Sequence, residues 1–586
     1  MKQEEYKFYQ NFDSRDDLKQ FETNALLMYS LQLRYGIEDI IQVAATALVD
    51  GRDDKKTDIV FIDTERREAV IGQGYMATTD KDSAPSNKAS DLNTSVSWLL
   101  TRNIDEIPER IQAAALELRN RIKDNEIDRI TLWYSHNLPE STNVADELKS
   151  AENTLNSILA TNFPSQNVES LSLEVGLETL ENWYEGLTTP ILVTDVLTIE
   201  NVSGFMLQED KWTSFSTVMP ATKLHELYEE YGTDLFSANV RDYLGSRKSD
   251  SNINNGIKLS AEKTPENFYV YNNGVTALVN DFNFDENILT IKGISIVNGA
   301  QTTGAIGSLP NEVDEKVKVP LRLIKCQDEN IIASIVKFNN SQNKVNAPDF
   351  RSNDQIQKRL VREFEGLRYV NYSSRRGGSV DIIKRNPSVI PSVTAGQVLA
   401  AFHRQPSIAY NQKSKIWESD NFYPRFFNEN TTATHIFLVY SLQRAIEELK
   451  FGLMKSSTLT ENQVRLIKFL RSRGSIVLFT TAVSTCIEEL LGKPVANLFK
   501  LKFCNDLSIE DGIKLWNPII IMLASFSETL NTGLSDGIKN EEKINSALSQ
   551  FKQLVSAVKN ANSTAFEEFA IGRFEKLDTW RRQRPF

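Results

Sequence analysis

At 586 residues the chain is too long for one ordinary core, so two to four domains are expected. An apolar fraction of 40% with 25% charged residues fits a soluble globular protein, and a formal charge of −12 excludes a uniformly basic surface while leaving room for a local basic groove. No window reaches membrane-spanning length, the first residues lack signal-peptide form, and Cys326, Cys486 and Cys504 are too few for a disulfide framework, so a cytoplasmic protein with no membrane partner is expected.

In chain order, Leu18, Phe21, Glu22, Ala25, Leu26, Tyr29 and Leu33 form a stripe at helical spacing, with Asp13 or Ser14 available as a cap. A second helical pattern runs from Ile37 through Ala47. Residues 57–63 read as a strand, Arg66-Arg67 as a hairpin turn and residues 69–75 as a second strand. Helical periodicity resumes over 88–100, a strand follows over 127–134 and a helix over 145–159. The order is α, β-hairpin, then αβα.

With Asp58 on the first strand, residues 71–75 (Ile-Gly-Gln-Gly-Tyr) on the second and Glu22 on the opening helix, residues 10–170 resemble the PD-(D/E)xK nuclease fold. The resemblance implies a restriction-endonuclease-like αβ domain in which Asp58 and the Gln73 carbonyl hold Mg²⁺, Glu22 adds an acid, and a lysine steadies the attacking water. Two positions depart from the family pattern. Gln73 replaces a carboxylate, and Tyr75 stands where the lysine belongs; Lys88 on the next helix is the candidate for a migrated lysine. Two readings stay open: retained metal chemistry, or a decayed scaffold in which Asp58 closes the 53–56 turn and Lys88 sits in solvent.

The boundary of this first domain is expected near 188, where residues 190–194 (Pro-Ile-Leu-Val-Thr) begin a new apolar run. Residues 203–220 read as loop and strand, 224–231 as a helix ending at Gly232, and the polar stretch 246–255 as a mobile loop. Amide-rich turns then follow β-branched runs. Asn272, Asn273 and Gly274 precede Val275-Thr276; Ile294 to Val297 reads as a buried strand, Asn298-Gly299 as a turn able to take positive φ, and Gln301 to Ile306 as a helix with Thr302 and Thr303 in its first turn. Asn339, Gln342 and Asn343 lie in a third such segment. A strand, tight turn and helix N-terminus direct N–H groups and hydroxyls at one spot, which suits an anion; a tight turn with a capped helix explains the same spacing.

These blocks, with Asn239-Val240-Arg241-Asp242-Tyr243-Leu244-Gly245, resemble the signature segments of the AIPR family, the abortive infection phage resistance proteins of bacteria. The likeness covers roughly residues 190–400 and implies a central mixed α/β AIPR domain (189–394) and antiphage defence, without naming a reaction. The order of the blocks also resembles DGQHR and ParB-like domains, some of which bind nucleotides, so a nucleotide or a phage component as trigger is a second expectation.

Residues 355–385 crowd basic side chains with Tyr369 and Tyr372. Arg359, Arg362, Arg375, Arg376, Lys384 and Arg385 are the nucleic-acid-binding candidates, because guanidinium forks pair with phosphates and rings stack on unpaired bases. The alternative is a solvated helix face with Arg359 and Arg362 partnered by Glu363 and Glu365.

From 395 onward the pattern is helical: 395–402, 433–449, 461–471, 476–491 and 541–577, with residues 518–523 apolar on all sides and expected to be buried. Apolar faces in this C-terminal helical domain (395–586) allow a homodimer. The histidines at 136, 225, 403 and 435 show no metal-ligand spacing, so zinc is not expected, nor haem or flavin; a metal here would take oxygen ligands. The whole therefore reads as α/β plus α, an antiphage protein with a metal-dependent nuclease, or alternatively a non-catalytic nucleic-acid or nucleotide binder.

Overall fold

A computed structural model describes residues 6–188, 191, 193–232, 235–236, 248–309, 313–340, 351, 354–374, 386–456, 458–504, 506–559 and 563–570. Among these residues no helix is long and apolar enough to cross a membrane.

The first sheet has the order β1 (Ile59–Asp63), β2 (Glu68–Tyr75), β3 (Arg129–His136) and β4 (Glu169–Val175). The first pair is an antiparallel hairpin and the later pairs are parallel. Arg67 takes φ +59° at the hairpin turn. Side chains alternate across the sheet as a pleated strand requires. Val60, Ala69, Ile71, Ile130, Leu132 and Tyr134 pack against the helices Leu92–Leu100, Glu109–Lys123 and Thr142–Asn162. Ile59, Phe61, Val70 and Trp133 pack against Ala25–Tyr35, Ile40–Ala47 and Leu177–Thr188. The result is a mixed sheet with helices on both faces. The helix Glu109–Lys123 and strand β4 were not singled out by periodicity.

The expected single opening helix is interrupted. Helices Lys7–Asp13 and Asp16–Lys19 and a 3₁₀ turn Glu22–Asn24 precede Ala25–Tyr35. Glu22 takes φ +53°, incompatible with a continuous helix.

The second sheet has seven strands: β5 (Val193–Ile199), β6 (Phe205–Gln208), β7 (Trp212–Pro220), β8 (Val275–Val279), β9 (Asp281–Asp285), β10 (Ile288–Asn298) and β11 (Lys318–Cys326). Their order is β5-β10-β8-β11-β7-β6, with β9 also paired to β10. Only β8 and β11 run parallel. The expected loop over 246–255 is corrected: residues from 248 belong to the helix Lys248–Lys263, anchored by Ala261 in the core and Ile257 packed on it.

A helical bundle completes the fold. Its core draws Leu360, Phe364, Val370 and Ile390 from before residue 395, together with the long helix Ala433–Lys455. In Ile509–Ala524, Ile519, Ile520 and Leu523 are buried but Ile521 is 60% exposed, so the stretch is not buried on all sides as expected. His403 and His435, distant in sequence, meet with their Nε2 atoms 3.0 Å apart.

The bundle is locked to the first sheet by a buried ion set. Asp39 caps Ile40–Ala47 by accepting from Gln42 N, and also pairs with Arg444, which pairs with Glu447. All three side chains are buried. Removing one member strands the others' charge at a cost of about 3–5 kcal/mol. Arg444→Met should therefore lower the thermal midpoint markedly, and an Asp39→Asn/Arg444→Met/Glu447→Gln triple variant should recover much of the loss; thermal unfolding of the two variants checks the order.

Candidate active site

Asp58 directly precedes β1. Its backbone N–H donates to Gly72 O (3.0 Å), and its carbonyl accepts from Val49 N and Asp50 N. Ile59 pairs with Gly72, so Asp58 and Gln73 adjoin at the same end of the hairpin, with Gln73 two residues beyond Ile71 on the face that carries Ala69 and Ile71. Gly74 N donates to Asp58 Oδ2 at 2.7 Å. Lys88, on the short helix Ser86–Ser90, covers the same face, since Ala89 packs there and the Lys88 charge acts on Asp58.

Two residues not singled out from sequence complete the cluster. Carboxylate oxygens of Asp50, Asp54 and Asp58 all lie within 4.8 Å of one another. Asp54 is held by Gly51 N and Lys56 N, both at 2.9 Å, in a turn where Asp53, Lys55 and Lys56 take positive φ. Asn24 Nδ2 donates to Asp50 Oδ2 at 2.6 Å. Burial is the main force pushing Asp58 up to about 7; Asp50 and Asp54 add to it, and the Gly74 N–H and Lys88 oppose it. Burial also raises Asp50, with Asn24 opposing. The signal for Asp50 and Asp54 was in the sequence as an acidic turn, but a turn brings its acids to a strand acid only once the hairpin closes.

Gln73 is 3% exposed, and its Oε1 has no hydrogen-bond partner. A buried carbonyl without a donor costs about 1–3 kcal/mol, so an orphan at the hairpin end where three carboxylates gather suits a hard cation, which takes oxygen ligands of this kind. Glu22 is not part of the cluster. Its side chain is 70% exposed and pairs with Lys455 at 3.1 Å, because the 3₁₀ turn aims it away. Tyr75 instead has Lys81 beside it, the ammonium 3.2 Å from its hydroxyl.

The amide-rich segments gather at one end of the second sheet. As expected, β10 ends at Asn298, Gly299 turns with φ +93°, and a helix Ala300–Gly307 follows. Gly274 takes φ +80°, and a Cβ there would lie 2.4 Å from Pro320 O; one on Gly299 would lie 2.5 Å from Gly274 O. The two turns therefore touch backbone to backbone. Asn272 Oδ1 accepts from Gly274 N (2.8 Å) and Thr302 Oγ1 (3.2 Å). Arg322 joins Thr276 Oγ1 (3.1 Å) to Asn339 Oδ1 (2.6 Å). Asn273, Asn298 and Gln301 make no side-chain hydrogen bond among the described residues and are the ones left to meet a ligand. Gln342 and Asn343 lie outside the described residues.

Of the basic candidates, Arg359 is engaged internally, donating to the carbonyls of Asn428, Glu429 and Thr431 and pairing with Glu363. Arg362 is exposed on the same helix. Arg375, Arg376, Lys384 and Arg385 lie outside the described residues.

A family model described as AIPR protein matches residues 236–565, more than half of the chain. The chain belongs to the AIPR family. The match takes in most of the second sheet, with the amide cluster, and most of the bundle; the first sheet lies outside it. No curated protein and no solved structure matches the chain. AIPR membership supports a role in antiphage defence by abortive infection.

In EDTA, folded Asp58 keeps a proton up to about 7, whereas the unfolded chain releases it near a pH of about 4. The folded state binds more protons between these values, so this group's contribution to stability declines as pH rises through that window. Asp58→Asn should remove that decline and be the more stable protein at pH 8; thermal unfolding of both proteins across the window checks the sign. In the amide cluster, Asn272→Ala should cost about 1–3 kcal/mol by stranding the Gly274 and Thr302 donors, read by chemical denaturation.

Proposed function

We propose that this AIPR protein is a metal-dependent nuclease cleaving DNA or RNA phosphodiesters during abortive infection. The observation that carries the reading is the convergence of the Asp50, Asp54 and Asp58 carboxylates at the hairpin end that also holds the orphan Gln73 Oε1. Asp58 and Gln73 would hold Mg²⁺, with Asp50 or Asp54 as further oxygen donors. When bound, such an ion lowers the pKa of a coordinated water and polarises the phosphoryl oxygens. The chain's own residues do the rest. The Gly74 N–H fixes the Asp58 carboxylate, and Asn24 orients Asp50. Lys88 supplies positive charge where negative charge builds on the phosphate. The second sheet with its amide cluster serves as the sensing or binding part, with nucleic acid as the partner.

Tyr75 at the usual lysine position favours a second reading, in which the first sheet is a degenerate nuclease-like scaffold and the protein acts by binding nucleic acid or a nucleotide.

Purified protein with Mg²⁺ or Mn²⁺ should cleave plasmid DNA, phage DNA or RNA, and EDTA should abolish the activity. Asp58→Ala should reduce the rate by at least about 10³-fold and Lys88→Ala by about 10²-fold, with phage protection lost in step. Intact substrates under all these conditions, with protection unaffected by Asp58→Ala, would favour the binding reading.

A further inference from the structure

Between the first sheet and the bundle lies a cavity of about 100 Å³, lined by Phe61 and Ile62 of β1, by Glu117 and Arg121 of the helix Glu109–Lys123, and by Gln443, Glu447, Lys450, Arg471 and Arg473 from the bundle. Glu117 faces two guanidinium groups, whereas Glu447 shares Arg444 with Asp39. Glu447 pairs with Arg444 and accepts from Gln443 Nε2 at 2.9 Å. Glu117 lies 3.4 Å from both Arg121 and Arg473 and accepts from the Tyr410 hydroxyl at 2.8 Å.

The basic side chains are not balanced in the same way. Lys450 is 4% exposed, and its ammonium has no ion pair or side-chain hydrogen bond among the described residues. Arg471 Nε and Gln443 Oε1 are buried without partners. A buried, unpaired ammonium costs several kcal/mol unless something compensates it. Burial first, and then Arg473 and Arg471, push the Lys450 amine down to about 7, with the Glu447 carboxylate opposing them. The wall thus offers cationic N–H donors from Lys450 and Arg471 and one acceptor, Gln443 Oε1. A hydrogen phosphate ion matches both: its oxygens accept from cations, and its remaining O–H donates to a carbonyl. The volume holds several waters or one phosphate group, and not a whole nucleotide.

We propose that this cavity binds a phosphate group, free or at the end of a nucleotide, between Lys450, Arg471 and Gln443. The site is separate from the Asp58 cluster and does not depend on nuclease activity. It abuts the active-site strand, because Arg473 Nη2 donates to Val60 O at 2.9 Å, two residues beyond Asp58.

The full-length protein is titrated, without divalent cations, with inorganic phosphate in one arm and with AMP and ADP in another, followed by thermal shift and calorimetry. Saturable binding of either kind supports the site; phosphate alone identifies the free ion, and tighter binding of a nucleotide identifies its terminal phosphate. Lys450→Met and Arg471→Met should each weaken binding at least tenfold. Lys450→Met should fold, with an unliganded midpoint at or above wild type, because it replaces an unpaired buried charge by an apolar chain. No saturable binding to wild type, or equal binding to both variants, overturns the proposal.

Discussion

The Asp39–Arg444–Glu447 set is the interaction on which the arrangement of the first sheet and the bundle depends. Asp39 serves two elements at once, capping the helix Ile40–Ala47 and anchoring the guanidinium of the long bundle helix. Buried charges of this kind tolerate only one relative placement, since any displacement would leave a carboxylate or guanidinium in apolar surroundings without its partner. Other contacts follow from that placement: Arg121 to Asn411 Oδ1 at 2.7 Å, Tyr410 to Glu117, and Arg473 to the carbonyl of Val60. The cavity with Lys450 lies among these contacts, with Glu117, Arg121, Tyr410 and Arg473 in its lining.

Two sites with different physics sit on this frame. At the first sheet, carboxylates are gathered and half-buried; burial first, and then the neighbouring acids, raises Asp58, and the cluster favours any species that supplies positive charge. At the second sheet, amides and glycines fold against one another, and much of their hydrogen-bonding capacity is spent internally by Asn272, Thr302, Arg322 and Asn339. Close backbone approach at Gly274 and Gly299 explains why glycine stands at both turns. The remainder, exposed Asn273 with half-buried Asn298 and Gln301, is left without internal side-chain hydrogen bonds among the described residues.

Much of the local structure was legible in the sequence. Continuous apolar runs bounded by turn signals identified β1, β2 and β3, and the Asn298-Gly299 pair identified a positive-φ turn between strand and helix. The stripe from Leu18 to Leu33 was misleading because apolar periodicity continues through Phe21 and Ala25 while the backbone between them turns; propensity does not record a φ of +53° at Glu22. The polar run near 250 read as a loop because amide and serine side chains conceal a helix that is stabilised further along, at Ile257 and Ala261.

The sequence by itself determined the family, through ordered segments whose residue types are short-range signals, and it identified Asp58, Gln73 and Lys88 as residues worth bringing together. Only the tertiary structure decided which acids accompany Asp58, that Glu22 turns instead to Lys455, and that Arg359 is consumed by carbonyls of the bundle. The reason is that turn and strand chemistry acts over a few residues, whereas burial and charge pairing join positions far apart in the chain, such as Asp39 and Arg444, and are specified by packing that no single segment encodes.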